Sequence, residues 1–469
     1  LKFHADETFS TADTLRPFPF AWDSHVEGFD VAGRSALEAA LFRAMSPPGG
    51  PLAEGSLFRY LLALRIVLGL WSLGCAAICG YFLTKLRTEE TPAGYHAAFL
   101  LFALLPAVPH FATHVSNYGF LIGSVVLLLG VSAVRPRTER EGILKFAAFG
   151  VSLAFCCLSG RVGLTALVLL PLASLWKPAV RAVSVWKLWA VAFGSFALPV
   201  LFARPQSFAM LGNGFATIAA YAPGIPPNVL FLIPVFIACV AMTALDTSLS
   251  ARTKEDPRLL SGSDPHELRP NNAEKKVIVT ISACLSVLLI APHFISLSPM
   301  PENETVFAIK GLSYVYEVLP RFVHGLGISD SGFFLSSSFW SGFGWLDTLF
   351  SRRFVRVLKC IPIALAFIAL ASWFFRTDGR RPMAFLVATW LLSFVVVCLQ
   401  AFAISFERIN LHGRYLTIPY MVLTAGSLLP LSMGRANRTL LWMPTMVLVT
   451  LAVCLQFHSL GFVLERFFE

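Results

Sequence analysis

Groups able to do chemistry collect at a few places in this chain, most of them outside its apolar runs. Near the start, Asp6-Glu7 and then Trp22-Asp23-Ser24-His25-Val26-Glu27 set carboxylates beside an imidazole. A carboxylate held near His or Arg can act as a general base, taking the proton of an attacking hydroxyl. Residues 338–347 read Ser-Phe-Trp-Ser-Gly-Phe-Gly-Trp-Leu-Asp. Rings alternating with glycine do not sustain a spanning helix, so this run predicts an ordered turn at a membrane surface, with indole rings at headgroup level. Further on, His412-Gly413-Arg414-Tyr415 opens an apolar run. Gly413 permits close backbone approach and Arg414 offers a planar fork for phosphate oxygens. Tyr415 and Tyr420 can stack on a sugar or hydrogen-bond it.

Other positions carry smaller signals. His110 and His114 stand at i and i+4, a spacing open to metal ligation, but without the intervening Glu of the zinc-protease pattern. Ser159-Gly160-Arg161 separates two apolar runs, and an arginine there is costly without a partner, which predicts that Arg161 faces a cavity. Arg321, His324, Trp340, Trp345 and Asp347 accompany the aromatic–glycine run. Gly325 and Gly327 with Gly332 do not make a dinucleotide fingerprint, because no strand–helix alternation surrounds them.

The elements that must position these residues are set by composition. Apolar residues make up 56% of the 469 and charged residues only 14%, which excludes a soluble globular protein. Apolar windows long enough for a ~30 Å hydrocarbon core recur along the chain. The expectation is an all-α polytopic bundle of about twelve spanning segments, beginning near residues 57, 96, 117, 144, 161, 187, 228, 277, 355, 382, 411 and 438. One more is allowed upstream, since the sequence opens at Leu1 without an initiator Met. The segments flanking Gly160 are joined by almost no loop, which predicts a tight helical hairpin.

Basic residues set the expected sidedness. Clusters at Lys85/Arg87, Arg135/Arg137/Arg140/Lys145, Lys177/Arg181/Lys187, 252–276, Arg376/Arg380/Arg381 and Arg435/Arg438 share one side if the segments alternate, and that side is then cytoplasmic. The net charge of +10 is read as such loops touching anionic headgroups, and nucleic acid is not an expected partner. Arg352, Arg353 and Arg356 fall on the opposite side, which points to an anionic ligand or lipid phosphate.

Four regions follow: an external stretch over 1–56 with a short amphipathic surface helix at 34–45, a first helix group over 57–247, a cytoplasmic linker over 248–276, and a second helix group over 277–469. The second group includes a long external loop at 298–353. All nine cysteines lie in or beside apolar runs, as buried small hydrophobes do, which argues against a disulfide framework or thiolate metal site.

The Phe-Trp/Gly-Phe-Gly-Trp-Leu-Asp run and the Gly-Arg-Tyr segment resemble a bacterial family of multi-pass membrane proteins, a domain of unknown function related to the GT-C glycosyltransferases. That resemblance implies a GT-C-like bundle in the bacterial cytoplasmic membrane, with an active site facing the periplasm or exterior. It implies transfer of a sugar from a polyprenyl-phosphate donor to a cell-envelope glycan or lipid. The carboxylate that takes the acceptor's proton would be Asp6, Glu7 or Asp23, with Asp6-Glu7 favoured because the family has such a pair early in its external loop. The family pattern also has a His a few residues after the pair, whereas the next one here is His25. Arg414, Arg161, Arg352, Arg353, His412 and Tyr415 would hold the donor phosphate. Trp340, Trp345, Asp347, Arg321 and His324 would meet the acceptor or glycan. No cofactor is implied, and divalent-metal dependence stays open. The rival readings are a transporter or flippase of a lipid-linked glycan, and a polymer ligase; the absence of a visible repeat favours an enzyme.

Overall fold

The computed structural model describes residues 54–85, 99–101, 117–133, 138–159, 161–175, 185–203, 224–255, 350–375, 416–433 and 447–461, with single positions or short pieces at 103–104, 108, 136, 339–340, 385, 387–389, 391–393 and 395. All regular structure among them is helical. In chain order the helices are α1 (Glu54–Lys85), α2 (Asn117–Ala133), α3 (Glu139–Leu158) and α4 (Arg161–Leu164), the last running on as a 3-10 helix (Thr165–Leu175). They continue with α5 (Val185–Phe202), α6 (Pro227–Glu255), α7 (Arg352–Leu358), α8 (Cys360–Phe375), α9 (Thr417–Met433) and α10 (Val447–Gly461). Four of them, α1, α3, α5 and α6, are long and apolar enough to cross a membrane. The described residues are all-helical, and their four apolar helices are those of an integral membrane protein.

Helix α1 shows how one apolar sequence serves two apolar environments. Leu68, Ser72, Cys75, Cys79 and Phe82, spaced three and four apart, are buried in the bundle, while Leu62, Ile66, Leu70 and Leu73 are exposed. In a spanning helix that exposed apolar stripe faces lipid, so association rests on close packing and on hydrogen bonds between helices. Both occur between α1 and α2. The Trp71 indole N–H donates to Phe120 O at 3.3 Å and the Ser72 hydroxyl to Gly119 O at 3.1 Å. A Cβ at Gly123 would meet Trp71, and one at Gly130 would meet Cys79 Sγ.

Pairwise contacts give the direction of each helix. On α1 and α2, residues 72 and 79 meet 119 and 130, so the two run parallel. Gly142 meets Leu188, Phe146 meets Trp189 and Gly150 meets Ala192, so α3 and α5 are also parallel. Asp246, Phe236 and Phe231 meet Trp189, Phe193 and Phe196 in falling order, so α6 is antiparallel to α5. Chain that alternates across a bilayer gives these directions when one crossing lies between each parallel pair. The turn at Ser159 is as tight as expected: its N–H donates to Cys156 O, and Gly163 lies so close to that carbonyl that no side chain fits.

Several sequence expectations are corrected. Instead of an ordinary spanning helix after residue 161, one α turn passes into the 3-10 helix, whose described side chains are buried. At about 2.0 Å rise per residue, against about 1.5 Å in α geometry, the two pieces extend about 28 Å, close to the ~30 Å core. Extra rise compensates for a short apolar run that contains Pro171. Helix α6 continues to Glu255, so the opening of the segment read as linker is helix, as its Ala251, Arg252, Lys254 and Glu255 favour. Cys360 and Cys454 are exposed, while Cys75, Cys79, Cys156, Cys157 and Cys239 are buried as expected; all seven are free thiols.

Candidate functional site

Helix α9 starts directly after the His412–Tyr415 segment, and Leu416, Thr417, Ile418 and Tyr420 are all buried. Tyr420, one turn in, receives the aromatic run of the long loop. Phe339 meets its ring at 5.2 Å and 70°, Trp340 at 5.7 Å and 79°, and Phe339 and Trp340 meet each other at 5.0 Å and 78°. Three mutual edge-to-face contacts are each worth about 0.5–1.5 kcal/mol beyond area burial. Phe339 and Trp340 on one side and Tyr420 of α9 on the other, some eighty positions apart, therefore share one packed corner.

This geometry corrects the surface-turn expectation for Phe339 and Trp340. Both are in helical conformation, and Trp340 is 2% exposed. Its indole packs in the core and offers no open face to headgroups or a glycan in this arrangement. Tyr420 is buried likewise, and the Thr424 hydroxyl donates to its carbonyl at 2.9 Å. The signal was available in the sequence: a large apolar ring beside another, read as surface because of the following glycines, is equally suited to packing.

Among the other expected site residues, Arg161 heads α4 at the tight turn. Arg352 is the first residue of α7, whose preceding Ser351 hydroxyl accepts from Phe354 N–H. Arg353 is exposed on α7. Asp6, Glu7, Asp23, His110, His114, Arg321, His324, Trp345, Asp347, His412, Arg414 and Tyr415 lie outside the described residues, as do the 34–45 helix and the span expected near 277. Among the described residues no group of three or more His, Cys, Asp or Glu is placed to hold a metal.

Two buried polar residues were not read as such from sequence. Its sequence position puts Lys145 in a loop cluster that sets topology, yet it is 0% exposed. Thr138 and Glu141 form a capping box that starts α3 at Glu139, which carries Lys145 nearly two turns inside the helix. Its ammonium donates to Ala173 O at 3.2 Å and lies 5.8 Å from the Phe146 ring centroid. Ala173 is in the last turn of the 3-10 helix, where carbonyls lack intrahelical partners and the dipole favours a cation. The second residue is Asp246, buried on α6 and bonded to Trp189.

Comparison with protein-family models, curated proteins and solved structures finds no match to this chain.

Proposed function

We propose that this chain is a GT-C-type membrane glycosyltransferase that takes its sugar from a polyprenyl-phosphate donor and transfers it to a cell-envelope glycan or lipid on the external face. The acceptor oxygen attacks the anomeric carbon as the bond from that carbon to the phosphate oxygen breaks. The bonding pair leaves with the polyprenyl phosphate, and the acceptor's proton passes to Asp6 or Glu7, with Asp23 the remaining candidate base. Arg414 and Arg161 hold the phosphate, with His412 and Tyr415 beside them, and Trp345, Asp347, Arg321 and His324 meet the acceptor. The observation that supports this reading is the packing of Phe339 and Trp340 on Tyr420, residues that stand in sequence beside the stretches whose residue types suggest glycan and phosphate chemistry.

The buried Lys145 and Asp246 favour a second reading, a flippase for a lipid-linked glycan, because ionisable residues inside a spanning bundle commonly mark a transport path. Both, however, have packing roles already, one bonded to the end of the 3-10 helix and one to an indole. The test uses purified protein and polyprenyl-phosphate sugars in detergent. Asp6→Asn or Glu7→Gln should cut transfer roughly a hundredfold to ten-thousandfold while donor binding survives. Arg414→Lys should lose most transfer, because a point charge replaces a planar fork. Wild-type protein that moves a lipid-linked glycan across liposomes but cleaves no sugar phosphate overturns the reading in favour of the flippase.

A further inference from the structure

The antiparallel helices α5 and α6 each carry a proline in their interior, Pro199 and Pro234. A proline ring donates no N–H, so the carbonyls four residues earlier, at Ser195 and Leu230, receive no bond from it, and the ring crowds each of them as well. The turns 195–199 and 230–234 are therefore the weak points of two otherwise continuous helices. Phe193 meets Phe236 at 5.2 Å, Phe196 meets Phe231 at 6.1 Å, and Asn228 bonds Leu201. That register carries Ser195 to the level of Pro234 and Pro199 to the level of Leu230, so the two weak turns lie side by side. Gly194, with nothing within 4 Å of the position a Cβ would take, adjoins Ser195, and a Gly-Ser pair is itself a place where helices bend.

Beyond these turns the two helices are tied to each other more than to the bundle. Asn228 Nδ2 donates to Leu201 O at 3.1 Å, taking up one of the last carbonyls of α5, which lack intrahelical donors. Its Oδ1 accepts from Val229 N–H at 3.1 Å, and Val229 and Leu230 N–H both donate to Pro226 O, which closes the first turn of α6. Phe202 is 83% exposed, and Leu201 and Ile225 are exposed with it. Among the described residues of 200–203 and 224–229, only Val200 and Ala203 are buried. On the other side of the prolines, Trp189, Ala192, Met242 and Asp246 are buried and the Trp189–Asp246 bond locks the pair.

We propose that the two proline turns form one hinge, about which the end of α5 (200–203) and the start of α6 (224–229) swing together, opening the contact that buries Val200 and Ala203. Bends at different levels would shear the Asn228–Leu201 bond, whereas bends at one level turn both ends about a common axis and leave it intact. A hinge needs only a few residues that absorb the change in backbone angle. From Pro234 to Asn228 the lever is about 9 Å at about 1.5 Å per residue, so a bend of about 20° moves its end by about 3 Å. The hinge stands independently of the enzymatic reading.

The experiment measures spin-label distances by pulsed electron paramagnetic resonance on the full chain in detergent, with Cys284, Cys360, Cys398 and Cys454 first changed to Ser. Leu144→Cys, exposed on α3 toward the opposite end of the bundle, is paired in turn with Phe202→Cys, Ile225→Cys and Val240→Cys. Val240 lies on the locked side of Pro234 and should give a narrow distribution. Phe202 and Ile225 should give distributions about 3 Å broader and alike. Pro199→Ala with Pro234→Ala restores both N–H donors and should narrow them to the breadth seen at Val240. Ala203→Cys should react with a small maleimide while the buried native cysteines do not, and more slowly in the double alanine background. Should that variant fail to fold, the comparison of Phe202 and Ile225 with Val240, and the reactivity of Ala203→Cys, decide. Distributions at Phe202 and Ile225 as narrow as at Val240, or one broad and the other narrow, overturn the proposal. So does a breadth unchanged in a well-folded double alanine variant, or an Ala203→Cys thiol as unreactive as the buried cysteines.

Discussion

The indole N–H of Trp189 on α5 donates a 2.9 Å hydrogen bond to Oδ2 of Asp246 on α6 across 57 positions of sequence. Phe146 of α3 closes on the same indole edge-to-face at 5.2 Å, so one aromatic side chain joins three helices. Asp246 stands at the end of the apolar stretch Pro227–Thr247, where leaving a carboxyl group without a donor is expensive. The bond therefore fixes how α6 lies against the parallel pair α3 and α5.

Trp189→Phe keeps most of the ring and removes the donor. Hydrogen bonds to charged groups are worth about 1.5–3 kcal/mol in soluble proteins, whereas those between membrane helices average about 0.6 kcal/mol. Burial of both partners raises this one above the membrane average into the middle of that combined range, so a loss of about 1–2 kcal/mol is expected. A double-mutant cycle with Asp246→Ala, which removes the acceptor, read by unfolding in mixed detergent, measures the coupling. A value under about 0.3 kcal/mol is within ordinary additivity error and would show that the two side chains are neighbours without an energetic link.

Lys145 makes a separable prediction through the 3-10 helix. Lys145→Met fills similar volume but withdraws the donor from Ala173 O, leaving a buried carbonyl in the last turn short of a partner. The expected cost is about 1–3 kcal/mol. Faster amide hydrogen exchange should appear over Thr165–Leu175 before it appears in α1 or α2. Uniform loss of protection across all helices would make Lys145 a general packing residue and not a cap.

Two glycines with similar sequence surroundings should respond oppositely. A Cβ on Gly150 runs into the Ala192 backbone of α5, whereas one on Gly194 meets nothing within 4 Å. Gly150→Ala must push two closely crossing helices apart and is expected to destabilise by about 1–3 kcal/mol. Gly194→Ala removes backbone freedom from an open helical position and is expected to stabilise by up to about 1 kcal/mol. Equal responses in a thermal unfolding assay would contradict the α3–α5 contact.

How far sequence reaches is visible in these same residues. The membrane class, the tight turn after Ser159 and the burial of five cysteines follow from apolar length and from small residues beside short loops. Lys145 and Asp246 were not legible, because the acceptor at Ala173 and the donor at Trp189 come from other helices. A charge near a helix end also looks the same in sequence whether it faces water or a neighbour. Trp340 was misjudged for a related reason: with apolar residues on both faces of most helices, periodicity does not separate a ring that meets lipid from one that meets Tyr420. The candidate bases and Arg414 rest on residue type together with the family resemblance, and all of them lie outside the described residues.

Sidedness is the expectation on which the external placement of those residues rests, and it admits a direct test. Parallel α1–α2 and α3–α5 with antiparallel α5–α6 fit an alternating path, and the basic clusters then share one face. Cysteine introduced by Gly342→Cys should react with an impermeant thiol reagent applied from outside, and Ser261→Cys should react only after the membrane is opened. The exposed Cys360 and Cys454, and Cys284 and Cys398, which lie outside the described residues, are first changed to Ser so that no native thiol masks the result. The buried Cys75, Cys79, Cys156, Cys157 and Cys239 can stay, which spares the contact of Cys79 with Gly130 on α2. Reversed labelling would place Asp6, Glu7 and Arg414 on the cytoplasmic side, where polyprenyl-phosphate sugars destined for the envelope are not consumed, and the glycosyltransferase proposal would fall with it.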